Sequence, residues 1–201
     1  VLTNPDNQVI GQRSFGSDAQ TVAGMVTSEL QGLSAAGVYG MVKHFPGHGG
    51  TSGDSHDGAV STDKTLEELM AEELVPFQSA IDGGVNFVMV GHISAPNVTG
   101  DNAPATLSKV LITDVLRGQM GYNGIVITDA MNMEAITGFY NSDKAAVLAV
   151  TAGADMILMP ADYNTAYTGI LNAVNDGTIT EERINESVTR IVKAKLAMGQ
   201  P

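Results

Sequence analysis

Cysteine is absent from the 201 residues, which excludes a disulfide framework, a thiol nucleophile and a thiolate metal site while leaving the compartment open. Tryptophan is absent too, and aromatics make up only 5%. A sugar site here must rest more on hydrogen bonds than on ring stacking, which counts against a pure carbohydrate-binding module. Cations are scarce: 10 Lys and Arg face 22 Asp and Glu, for a formal charge of −12. So acidic a surface repels phosphate backbones and anionic headgroups, so neither nucleic acid nor a membrane surface is expected as a partner. No apolar run approaches the roughly 18 residues that a bilayer-spanning helix needs. The chain opens Val1-Leu2-Thr3-Asn4-Pro5, without Met or signal peptide, and reads as the middle of a protein.

What is present suits one α/β domain. Hydrophobic residues make up 43%, enough for a core. Four short apolar runs, 38–42, 85–90, 124–128 and 154–159, lack strict alternation, as strands covered on both faces do. Helical spacing and start signals lie between them. Ser17-Asp18 opens a helix to about Leu33, and Thr62-Asp63-Lys64-Thr65 precedes the 3-4 repeat Leu66, Leu69, Met70, Leu74, Phe77. Ser108 caps Val110 to Met120, with Gly121 as a stop. Ser142-Asp143 opens a helix through Ala152, ended by Gly153, and Thr180-Glu181-Glu182 opens one to about Met198. This alternation predicts right-handed βα units on a parallel sheet, in an open doubly wound sheet or part of a (β/α)8 barrel. No G-x-G-x-x-G follows a strand, which weakens the nucleotide-binding version. Polar residues gather just after the runs, where barrel enzymes keep their sites. Four strands make half a barrel, whose open parallel edges are expected to be covered by a missing half or another copy of the chain.

Three segments carry the chemistry. Lys43 to Asp57, KHFPGHGGTSGDSHD, holds three of the four histidines, and Gly47, Gly49, Gly50 and Gly53 let its backbone turn tightly. A plain surface loop, or a His/Asp metal site, fits that composition as well, though no H-E-x-x-H pair fixes metal ligands. Gly124 to Thr128 delivers Asp129 at a strand end, where an ordinary helix-capping Asp is also common. Arg13, in the Gly-flanked stretch Gly11 to Gly16, offers a rigid fork to a sugar oxygen, or is simply a surface Arg.

KHFPGHGGTSGDSH, preceded by RSFGSD and followed by GIVITDAMNMEAI and AGADMILMP, resembles the glycoside hydrolase family 3 N-acetylglucosaminidases across essentially the whole chain. The resemblance implies the C-terminal half of a TIM-type (β/α)8 barrel, with residues 1–201 a partial catalytic domain that lacks its first half. It implies a retaining enzyme that releases terminal β-linked N-acetylglucosamine from muropeptides or chitooligosaccharides, without metal or organic cofactor. Asp129 then matches the nucleophile, His56 the acid/base and Asp54 its partner, while Arg13, Lys43 and His44 hold the sugar. His92, after the second strand, is expected either at the pocket floor or in the core behind it, and His48 is read as loop structure. A cell-wall substrate fits either cytoplasmic recycling or an exported bacterial enzyme.

Physical chemistry agrees with those roles. Retention needs a carboxylate on one ring face and a proton donor on the other. Most such enzymes use a second carboxyl group, whereas a histidine, with an intrinsic pKa near 6.5, already suits proton transfer near neutrality. A neutral histidine also adds no negative charge to repel an anionic acceptor, so phosphate can compete with water. Two departures stand out: Gly50 replaces a more usual Asp, and Val1-Leu2 runs almost directly into Thr3-Asn4-Pro5. A β-glucosidase or xylosidase of the same family, and an inactive half that only binds sugar or assembles, stay open as alternatives.

Overall fold

The computed structural model describes residues 1–51, 58 and 60–198. In chain order, helix α1 (Ala19–Ala35) leads to β1 (Met41–Phe45), β2 (Val60–Ser61), α2 (Leu66–Ala71), α3 (Val75–Asp82) and β3 (Phe87–Val90). There follow β4 (Ile93–Ser94), α4 (Pro96–Thr99), a π-helix (Val110–Gln119), β5 (Ile125–Thr128) and α5 (Glu134–Thr137). The chain closes with α6 (Ser142–Ala152), α7 (Tyr163–Asn175) and α8 (Glu181–Met198).

β1, β3 and β5 pair in that order and all in parallel, and Met156 adds a parallel bridge to Ile127 on the far side of β5. Helices return the chain between successive strands, so the architecture is half of a TIM-type (β/α)8 barrel. β5 is buried at every position, as its unbroken apolar run predicts. Phe45, Val88, Val126, Leu111, Ile112 and Leu116 anchor a single main core. On β1 burial alternates instead, with Val42 and His44 covered but Met41 and Lys43 exposed.

The local signals explain most helix ends. The Asp18 carboxylate accepts from the Thr21 N–H at the start of α1. Thr65 and Glu68 form a reciprocal capping box on α2. Gly153, at φ +118°, ends α6 in a conformation that favours glycine.

Four differences from the sequence reading are physical. β1 starts three residues later than the apolar run from Val38, because Gly37 turns at φ +73° and leaves Val38 exposed. The 3-4 repeat after Thr65 is two helices, since Pro76 supplies no N–H and restricts the residue before it. The fourth strand is reduced to a bridge. There the Asp155 carboxylate accepts the Val126 N–H, and the Thr128 hydroxyl oxygen accepts the Leu158 N–H, taking the place of ladder partners. The stretch from Val110 winds more widely than an α-helix, closing with Met120 N–H on the Val115 carbonyl. Helix α7, capped by Asp162, was not anticipated, and neither was the small parallel pair β2–β4.

Candidate active site

Parallel strands put the carboxyl ends of β1, β3 and β5 on one rim. Asp129 follows β5 directly, its N–H donated to the Val90 carbonyl at 2.9 Å. Its Oδ1 accepts the Ala130 N–H at 2.8 Å, and its side chain is 15% exposed. Oδ2 lies 3.7 Å from Nε2 of His44 on β1.

Lys43 and His44 sit in an irregularity of the β1–β3 register. Val42 faces Val88 and Phe45 faces Val90, so β1 spends one residue more than its partner across that interval. An extra residue of this kind re-aims side chains at a sheet edge. The peptides Lys43–His44 and Phe45–Pro46 are cis. Gly91 makes room for the arrangement, since a Cβ there would lie 3.0 Å from the His44 Cβ. His44 is buried, and its Nδ1 has no hydrogen-bond partner among the described residues. Burial drives its pKa down to about 4; Asp129 pulls the other way, and the charges of Lys43, His48 and Arg13 add to the lowering. His44 is thus a neutral imidazole near pH 7, beside the carboxylate.

Arg13 ends a 3-10 turn, Gly11–Arg13, and donates to the Val9 carbonyl at 3.3 Å. Arg13, Lys43, His44, His48, Glu73 and Phe77 help line a cavity of about 360 Å³, within the range of small-ligand pockets. His44 connects this cavity to Asp129. The structure therefore brings Arg13, Lys43, His44 and Asp129 to one region. Asp54 and His56 lie outside the described residues.

Below the cavity, Gly47 to Thr51 is held from two sides. Asn7 Nδ2 donates to the carbonyls of His48 and Thr51 at 2.7 and 3.0 Å, and the Asn4 N–H donates to that of Gly49. His48 is buried with its Nδ1 3.0 Å from the Thr51 hydroxyl. From the α2–α3 junction, the buried Glu73 accepts from Thr3 Oγ1 and Lys64 Nζ, both at 2.6 Å. Gly47 is required against it: φ is +130°, and a Cβ would approach the Glu73 Cβ to 2.5 Å. Sequence reasoning passed over Glu73, because an acid between apolar helical positions looks like any solvated residue.

His92 is 1% exposed and does not line the cavity that holds Arg13 and Lys43. Its Nε2 is 2.9 Å from the Ala130 carbonyl and its Nδ1 2.7 Å from the Thr106 hydroxyl. It also borders a separate cavity of about 380 Å³ with Ser94 and Phe139.

A strand-end carboxylate beside a bulged Lys-His pair, on the rim where barrels hold their chemistry, defines a (β/α)8 barrel enzyme site. Residues 1–194 match the glycosyl hydrolase family 3 N terminal domain, and the chain belongs to that family. It superposes with TM-score 0.96 and 44% identity on a glycoside hydrolase family 3 beta-N-acetylglucosaminidase from Paenibacillus sp. str. FPU-7, over 98% of this chain and 38% of that one. It is 37% identical to beta-hexosaminidase LpqI of Mycobacterium tuberculosis over 97% of its own length and 52% of the relative's. Beta-glucoside phosphorylase BglX bound to 2FGlc is similar at TM-score 0.93 and 29% identity, covering 98% of this chain and 37% of that chain. The chain thus spans about half, or less, of the length of these relatives.

Proposed function

We propose that this chain is the catalytic-site half of a retaining β-N-acetylglucosaminidase, acting through a glycosyl-Asp129 intermediate. The observation that carries the reading is Asp129 at the end of β5, 3.7 Å from His44, with Lys43 and Arg13 on the adjoining cavity. Asp129 attacks the anomeric carbon and forms the covalent bond. His56, oriented by Asp54, protonates the leaving oxygen and then deprotonates the water that releases the sugar. Arg13, Lys43 and His44 hold the sugar hydroxyls, and the Nδ1 of buried His44, without a partner among the described residues, is a ready acceptor for one of them. Relatives named beta-N-acetylglucosaminidase and beta-hexosaminidase support terminal β-linked N-acetylglucosamine as the sugar released; muropeptides or chitooligosaccharides are the carriers in this reading.

The similarity to a beta-glucoside phosphorylase supports a second reading, in which a glucoside is the donor and phosphate the acceptor. The deciding assay compares chromogenic N-acetylglucosaminide and glucoside, with and without phosphate. Dominant turnover of the glucoside would replace the first reading by the second.

Residues 1–201 then form a partial catalytic domain. Among the described residues, nothing pairs with β1 or Met156 on the side away from the sheet, and Met41 and Lys43 are exposed. The rest of the barrel, supplied by further chain or by a second copy, covers these edges. Assaying the chain alone and co-expressed with the preceding barrel half tests this. A stable, well-folded 20.9 kDa monomer in dilute solution would refute the need for a cover.

A further inference from the structure

The buried pair His92 and Thr106 is not used by the mechanism above, yet it sits one residue from the nucleophile. Both are closed to solvent, at 1% and 0% exposure. A carbonyl oxygen only accepts, so His92 Nε2, 2.9 Å from the Ala130 carbonyl, carries a proton. At its other nitrogen the Thr106 hydroxyl is 2.7 Å away, and that hydroxyl also reaches the Gly91 carbonyl at 2.8 Å. One hydroxyl proton serves two acceptors, and either choice leaves the Nε2–H bond intact. When Thr106 donates to Nδ1, the imidazole is neutral. When it donates to Gly91, Nδ1 must itself donate to the hydroxyl oxygen.

The peptide that His92 grips joins Ala130 to Met131, one beyond the peptide that follows the nucleophile. Its carbonyl, from Ala130, accepts from His92, and its N–H, from Met131, is donated to the Leu158 carbonyl at 2.9 Å. That peptide is thereby fastened at both ends, by the β3–β4 connection on one side and the last strand segment on the other. Fixing it fixes Ala130, whose own N–H is donated to Asp129 Oδ1 at 2.8 Å. The Asp129 N–H is in turn donated to the Val90 carbonyl, next to the Gly91 carbonyl on which Thr106 rests.

We propose that Thr106 and His92 are a positioning pair that aims the Asp129 carboxylate through residue Ala130, whose carbonyl His92 holds and whose N–H meets Oδ1. This rests on Asp129 being the nucleophile. Neither residue touches the sugar. Thr106 braces the His92 ring at Nδ1, His92 holds the Ala130 carbonyl, and the N–H of Ala130, on the preceding peptide, sets the direction of Oδ1. Misplacing a reacting group by about 1 Å can cost on the order of 100-fold in rate, so a small slackening here is visible in turnover.

The test uses the full-length protein and an activated aryl N-acetylglucosaminide. Thr106→Val keeps the volume and removes the hydroxyl; it should lower kcat and kcat/KM together by at least about tenfold, with KM within about twofold, as loss of a transition-state interaction does. Thr106→Ser should recover to within about threefold of the parent. A valine variant within twofold of the parent, or a rise in KM at unchanged kcat, overturns the proposal. Should Thr106→Val fail to fold, His92→Gln and His92→Leu replace it. The amide can still donate to the Ala130 carbonyl, so the glutamine variant should be at least about tenfold more active, and equal activities overturn the idea. Nitrogen-15 NMR of the parent separates this from the function reading. An Nε2–H imidazole is expected whether or not the protein cleaves sugar, and a bare Nε2 sinks the positioning claim. An inactive parent with the Nε2–H present would instead count against Asp129 as the nucleophile.

Discussion

Nε2 of His44 lies 3.7 Å from Oδ2 of Asp129, outside hydrogen-bond reach, while burial keeps the imidazole neutral near pH 7. The pair is therefore a carboxylate and a neutral ring, not an ion pair. An unfolded chain takes up the His44 proton near pH 6.5, the folded one only near 4. The folded pKa is depressed, so the stability from a neutral His44 is complete above about pH 6.5 and lost as pH falls toward 4. His44→Gln cannot titrate. The stability difference between parent and variant, read from urea unfolding of the full-length protein, should shift by about 1–2 kcal/mol against the parent between pH 7 and 5. A pH-independent difference would contradict this account.

Asp129→Ala in the complete barrel should lower turnover by several orders of magnitude with little change in melting temperature. The side chain is partly exposed, and among the described residues its hydrogen bond is to the next residue's N–H. A 5-fluoro N-acetylglucosaminyl donor should add one sugar to Asp129 of the parent, as peptide mass mapping would show. A label on any other residue removes the assignment.

His56→Ala should cripple substrates with poor leaving groups, which need a proton to depart. Good leaving groups should still load Asp129 and then stall, since no base activates the water. Azide needs no base, so it should restore part of the turnover and give a β-glycosyl azide. Asp54→Asn should show a milder form of the same pattern. Equal loss on every leaving group, with no azide product, would place the proton donor elsewhere.

Asp155 holds the opposite end of the sheet together. Its buried carboxylate accepts from Arg117 at 2.7 Å, Ser187 at 2.6 Å, Arg190 at 2.9 Å and the Val126 N–H at 2.9 Å. Burial raises its pKa, but the charge of Arg117, the bonds from Ser187 and Val126 and the charge of Arg190 prevail and hold it low. Asp155→Ala should cost about 3–5 kcal/mol, because it strands arginines that are themselves mostly buried. Denaturant unfolding that moves by less than about 1 kcal/mol would show that α8 is held by its apolar face instead.

How much of this was legible without coordinates differs from residue to residue. Ser142 to Gly153 could be read almost to the residue, because an opening Ser-Asp and a closing glycine are local signals. The run from Ala154 promised a full strand, yet the Asp155 and Thr128 side chains take bonds that a ladder would have used. Nothing in a one-dimensional pattern reports that competition. Helix α7 was overlooked although Asp162 caps it, since Pro160 and the polar stretch after Met159 look like a loop.

The sequence alone determined the order of strand and helix units, the parallel sheet and the presence of Asp129, Lys43 and His44 at strand ends. These follow from hydrophobic periodicity and capping chemistry, which act over a few residues. Only the tertiary structure decided which polar residues meet. His44 reaches Asp129 because β3 lies between their strands and Gly91 yields space, across 85 positions of sequence. Glu73 comes against the Gly47 loop because the chain breaks between α2 and α3 at residues 72–74. His92, readable in the sequence as either a pocket or a core residue, meets the Thr106 hydroxyl and the Ala130 carbonyl because the chain folds both against it. Such encounters depend on the register between strands and the direction of individual bonds, and both are settled only when the whole core packs.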